Sequence, residues 1–138
     1  MGDLCLMGGC KCGAIRYEYT GDPALTLTCH CRDCQQFSGA AHASVIGVSE
    51  TVFKTTGTPK YYHYKSDGGS DMARGFCPEC GSPLFTISSG FPGVVIFRAA
   101  SLDDPKNFKA QMTIYTDSAF PWDDVHTEIA NYPGMPPA

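Results

Sequence analysis

The chain has 138 residues, the length of one ordinary domain, and can bury roughly two thirds of its unfolded surface around a single core. Its formal net charge of -4 and scattered Lys and Arg residues leave no cationic surface for a phosphate backbone, so nucleic acid is excluded as a partner. No apolar run approaches the roughly 20 residues that span a bilayer, and hydrophobic residues at 43% with 15 Gly and 10 Pro favour short β elements joined by many turns.

The first predicted element follows Gly8-Gly9-Cys10-Lys11-Cys12-Gly13, where Ile15, Tyr17 and Tyr19 alternate with polar neighbours as in a half-buried strand. Gly21-Asp22-Pro23 ends it. Leu25 to Thr28 forms a second strand that runs directly into Cys29-His30-Cys31-Arg32-Asp33-Cys34, so a cysteine-rich turn stands at a strand end. Further strands are expected at Ala43 to Val48, Val52 to Thr55 and Tyr61 to Tyr64. Arg74 to Phe76 leads into Cys77-Pro78-Glu79-Cys80-Gly81 and Leu84 to Ile87 leads out, the outline of a β-hairpin closed by a metal knuckle. Val94 to Ala99 and Met112 to Tyr115 complete about eight or nine short strands. The Pro-rich segment from Asn131 to Ala138 is expected to be a loose tail, and no long amphipathic helix is predicted.

Eight cysteines require either a metal or an oxidising compartment, and no basic, apolar leader precedes Gly8. Metal binding in the cytoplasm is the expectation. Cys77 and Cys80 offer two thiolates on a tight turn with glycine after the second, which is half of a tetrahedral site. Cys10 and Cys12 supply the other half, and a closed set of four thiolates predicts a structural zinc. The triplet Cys29, Cys31 and Cys34 can converge on a second ion with its fourth position unfilled. Two readings stay open at this point: an open catalytic ion, or a second structural site closed from a distance by His42, His63, His126 or Cys5. A soft zinc held by three thiolates suits capture of another sulfur better than activation of water. His30 is expected to point away from the metal, Arg32 and Arg74, candidate cations near the sites, to be solvated, and Tyr61, Tyr62, Tyr64 and Trp122 to pack. Cys5 is assigned no role.

Taken together, Gly8-Gly9-Cys10-x-Cys12-Gly13-Ala14-Ile15-Arg16-Tyr17, Cys29-His30-Cys31-x-x-Cys34 with Ser38-Gly39-Ala40, and Phe76-Cys77-x-x-Cys80-Gly81-Ser82 resemble the glutathione-dependent formaldehyde-activating enzyme family. Centromere protein V carries the same domain. The likeness continues through Ala100-Ser101-Leu102-Asp103-Asp104-Pro105 and Pro121-Trp122, so the core covers residues 8–124 of a single 1–138 domain with a tail at 131–138. It implies an all-β fold, a small tent-like arrangement of antiparallel β-sheets stapled by zinc and shared with methionine sulfoxide reductase B. It also implies two zinc ions: a structural one on Cys10, Cys12, Cys77 and Cys80, and a catalytic one on Cys29, Cys31 and Cys34. The implied activity is that of a carbon-sulfur lyase acting on a small-molecule thiol, glutathione in the family's named reaction, and its adduct with formaldehyde. Two other functions are carried forward, a noncatalytic scaffold with both zincs structural and a thiol-based reductase. No basic patch dedicated to the carboxylates of glutathione is evident from the sequence.

Overall fold

The computed structural model describes residues 5–123 and 128–137. Its strands are β1 (Cys5–Gly9), β2 (Arg16–Thr20), β3 (Leu25–Cys29), β4 (Ala43–Ser49), β5 (Phe53–Thr56), β6 (Lys60–Lys65), β7 (Asp71–Phe76), β8 (Pro83–Ser88), β9 (Val94–Arg98), β10 (Met112–Ile114) and β11 (Ala130–Asn131). The one α-helix among the described residues, α1 (Arg32–Ser38), follows β3. The fold is mostly β, as expected. No helix among the described residues is long and apolar enough to cross a membrane.

The strands form two sheets, a small one in the order β1-β2-β5 and a large one in the order β11-β10-β3-β4-β9-β8-β7-β6. In β2 the predicted alternation holds, with Tyr17 and Tyr19 buried and Glu18 exposed. Strand β4 lies inside the large sheet, and its Val45, Ile46 and Val48 are all buried because both faces of the sheet are covered.

Cross-strand partners share a face, so the register sorts the core into two clusters. Ile46 opposes Phe97, which opposes Phe85, and these pack against Tyr17, Tyr19 and Ile15 beneath the small sheet. Rings of Tyr17 and Phe97 are 4.9 Å apart and those of Tyr17 and Phe53 5.2 Å. The opposite face carries Leu27, Val45, Ala43 and Ile114 together with Cys29 and Cys34. The large sheet thus separates the two sulfur groups. The four-cysteine group borders the first core through Cys10 and Cys77, while the triplet belongs to the second.

Two features depart from the sequence reading. The large sheet is mixed, because β10 pairs in parallel with both β3 and β11, while the small sheet is antiparallel throughout. The C-terminal segment is also docked and not loose: Tyr132 N–H donates to Thr113, Tyr115 N–H to Gly134 and Thr116 N–H to Tyr132, and Tyr132 packs on the second core. These main-chain bonds satisfy a segment whose Pro and Gly content alone pointed to a tail.

Candidate metal centres

The first centre is built from two similar knuckles. In one, Cys77 N–H bonds Ser82 O and Gly81 N–H bonds Cys77 O, while the N–H groups of Glu79 and Cys80 both point at Cys77 Sγ, at 3.3 and 3.4 Å. In the other, Cys10 N–H bonds Ile15 O, Gly13 N–H bonds Cys10 O, and Ile15 N–H points at Cys10 Sγ at 3.2 Å. Gly81 and Gly13 both have positive φ, 78° and 84°, the conformation that reverses the chain after each cysteine pair and that side chains resist. Ser82 ties the knuckles together by accepting from Lys11 N–H at 3.0 Å.

The four sulfurs of Cys10, Cys12, Cys77 and Cys80 lie within 4.8 Å of one another. Cys10 to Cys12 and Cys12 to Cys77 are both 3.7 Å. A disulfide requires about 2.0 Å, whereas tetrahedral ligands at about 2.3 Å from zinc stand about 3.8 Å apart. The spacing therefore fits a metal and not a bridge, and all the cysteines are free. Ser82 holds the Cys80 thiol down at about 5, first through its hydroxyl and then through its main chain, which favours the thiolate that a metal needs.

The second centre forms where β3 ends. Cys31 is the N-cap of α1, its Sγ accepting from Cys34 N–H, so that the turn aims Cys29, Cys31 and Cys34 at one point. These three sulfurs also lie within 4.8 Å of one another. Gln35 locks the turn from beneath by donating to His30 O at 2.8 Å and to Ser118 O at 2.9 Å. None of the described residues proposed to close this group from a distance joins it: His42 pairs with Asp123, His63 stacks beside Tyr61, and Cys5 faces Glu18. His126 lies outside the described residues.

Two arginines that the sequence did not single out as buried stand on the triplet's face of the sheet. Arg74 is 6% exposed; its Nη2 points at Cys34 Sγ at 3.6 Å and its Nε donates to Tyr64 OH at 2.7 Å. Cys34 is held at about 2, chiefly by hydrogen bonds from Cys29 and Cys31 with Arg74 adding to them, while the same contacts push Cys29 up. Arg98 is 7% exposed, and its Nη1 has no hydrogen-bond partner among the described residues. A buried cation without a carboxylate is costly and signals function. Burial, then Arg74, lowers Arg98, and Cys34 and Cys29 partly offset this. The expectation of a solvated Arg74 is overturned, because β7 lies inside the large sheet between β6 and β8, and no alternation in its local sequence marks this burial.

Arg98 also lines a cavity of about 750 Å³ with Lys11, Arg16, His42 and Ser101. Arg16 is already paired with Asp103 at 2.9 Å, which leaves Lys11 and Arg98 as its unpaired cations among the described residues. Non-local folding thus assembles the basic surface that a linear reading missed. Tyr115 packs against the triplet's core with φ of 59°, the one non-glycine residue with positive φ among those described. Such strain marks functional positions. Burial, and then the thiols of Cys29 and Cys31, push its phenol up.

The family profile described as glutathione-dependent formaldehyde-activating enzyme matches residues 5–118. The chain belongs to this family. Among solved structures, a crystal structure of a Rhodobacter sphaeroides protein is similar with a TM-score of 0.57 at 18% identity, covering 73% of this chain and 93% of that one. At that identity the likeness shows the fold. No protein of curated function matches the chain. Membership in the glutathione-dependent formaldehyde-activating family associates the chain with enzymatic chemistry of the carbon-sulfur type, and both cysteine groups have the donors to bind metal ions.

Proposed function

We propose that the chain is one zinc-stapled domain that catalyses reversible addition of a thiol, possessing an anionic group as glutathione does, to formaldehyde or another small carbonyl compound. Cys10, Cys12, Cys77 and Cys80 would hold a structural zinc, and Cys29, Cys31 and Cys34 a second. The observation that carries the reading is the convergence of three buried or half-buried sulfurs beside two buried arginines. A zinc held by three thiolates supplies a soft position that keeps an incoming thiol deprotonated at neutral pH.

The chain's own residues do the rest. Three thiolates and one divalent ion leave one net negative charge, and Arg74 and Arg98 turn that into one net positive charge. An anionic guest is thereby attracted and a neutral one is not. Hydrogen bonds from Cys29 and Cys31, with Arg74 adding to them, favour Cys34 as a thiolate. Arg98, which lines the cavity, gives the guest's anionic group a charge-assisted hydrogen bond. The thiol's proton leaves to solvent as the thiolate forms; Tyr115, kept protonated by its surroundings, donates its phenolic proton to the carbonyl oxygen as the carbon-sulfur bond forms and is reprotonated from solvent, and the reverse reaction runs through the same transfers.

The test is the rate of exchange between free glutathione and its formaldehyde adduct, followed by magnetisation-transfer NMR. Arg98→Met is expected to raise KM for glutathione by about 10- to 100-fold, the worth of a hydrogen bond to a charged group, with kcat nearly unchanged. A wild-type protein with no effect on the exchange rate, or a variant losing only kcat, contradicts the reading.

A further inference from the structure

Behind the triplet, on the other side of its turn, a third group of metal-ligating side chains converges. Metal-ligating atoms of His30, His42 and Asp123 all lie within 4.8 Å of one another, with Asp123 Oδ2 at 2.9 Å from His42 Nδ1 and 3.4 Å from His30 Nδ1. The two imidazole rings are 5.0 Å apart and tilted by 41°, so both present the same nitrogen to the same carboxylate oxygen. We infer that His30, His42 and Asp123 form a third metal site, specific for a divalent transition ion.

His30 decides the matter. Its ring is 1% exposed, yet its Nδ1 has no hydrogen-bond partner among the described residues. A cluster serving only to pack would close this bond, since an unsatisfied buried nitrogen costs about 1–3 kcal/mol. Asp123 does close it with His42, but 3.4 Å to His30 lies beyond the usual 2.7–3.2 Å range. An ion at about 2.0–2.1 Å from each nitrogen and from the oxygen would satisfy all three groups with small side-chain shifts.

The backbones bearing two of these ligands are already fixed. His30 N–H donates to Ile114 O and His30 O accepts from Gln35, while Ser38 Oγ bonds His42 O at 3.1 Å. Two imidazoles and one carboxylate suit zinc, cobalt, nickel or ferrous iron, and do not suit calcium or magnesium, which take oxygen ligands. His42 lines the same cavity as Arg98, so the ion's remaining positions would open toward solvent there. The site needs none of the eight cysteines and stands or falls apart from the proposed lyase function.

The test supplies the full chain with only the two equivalents of zinc that the grouped cysteines take and then titrates cobalt(II), followed by visible absorption and by metal content after desalting. The expected result is one further equivalent bound with weak bands of nitrogen and oxygen ligation and no sulfur-to-cobalt charge-transfer band. Asp123→Asn, which keeps the side chain's shape, and His42→Ala, which leaves the buried His30 in place, should each weaken this equivalent by more than the about 10–100-fold that follows loss of a residue merely bonded to a ligand. Both variants should keep the far-ultraviolet circular dichroism and the sulfur-bound metal of the wild type. No further equivalent, one that survives both substitutions, or one that carries the sulfur band would each overturn the inference.

Discussion

Cys77→Ser is expected to leave a chain without a cooperative unfolding transition, because it removes one of the four sulfurs that join the two knuckles. Structural zinc contributes about 10–16 kcal/mol of apparent folding free energy, as much as the whole net stability of about 5–15 kcal/mol of an ordinary domain. The site spans the fold: Cys10 and Cys12 follow β1, Cys77 and Cys80 join β7 to β8, and Ser82 is bonded across the gap to Lys11. Cys77 itself is fully buried against the first core and accepts two N–H groups. A serine there would be a poorer ligand and would leave those donors with a shorter acceptor. Thermal melts followed by circular dichroism, with zinc content on the same sample, check this. A cooperative transition within a few degrees of wild type would show that the site is dispensable.

Cys31→Ser is expected to have the opposite profile, a folded protein without turnover. Cys31 caps α1 by accepting from Cys34 N–H, and serine is among the preferred caps, so the helix start survives. Cys31 is also the least buried of the triplet. Cys34→Ser is the less clean variant, since it deprives the buried Arg74 of its sulfur partner and so removes stability along with a ligand. Loss of one of three ligands should cost activity more than the about 10–100-fold that follows loss of a group merely bonded to a ligand. The adduct exchange rate and the thermal midpoint, measured together, separate the two effects. Turnover retained in Cys31→Ser, or unfolding as severe as in Cys77→Ser, would place both groups in the same structural role.

Much of this was legible because metal knuckles are local. The positions of Cys77, Cys80 and Gly81 predicted a positive-φ turn, and Gly81 has φ of 78°. The alternation of Ile15, Tyr17 and Tyr19 predicted a half-buried strand, and all three are in the first core. What stayed hidden is what the sheet brings together from far apart. Arg74 and Arg98 come from β7 and β9, and nothing near either in sequence says that they meet Cys29 and Cys34. His30 lies between two cysteines in sequence, but its partners come from just before β4 and from the loop that holds Asp123. The C-terminal segment was misread for the same reason, since its order comes from main-chain bonds to residues 113–117 and not from its composition.

On the proposed function the cysteines bind two ions, one closed by four sulfurs and one left open by three. Zinc X-ray absorption on the purified protein, before and after addition of glutathione, tests it most directly. Two sulfur-bound zinc ions per chain are expected, with a mean sulfur coordination that rises toward four when the thiol is added. A folded protein free of metal, or sulfur coordination already complete and unchanged by glutathione, would contradict it.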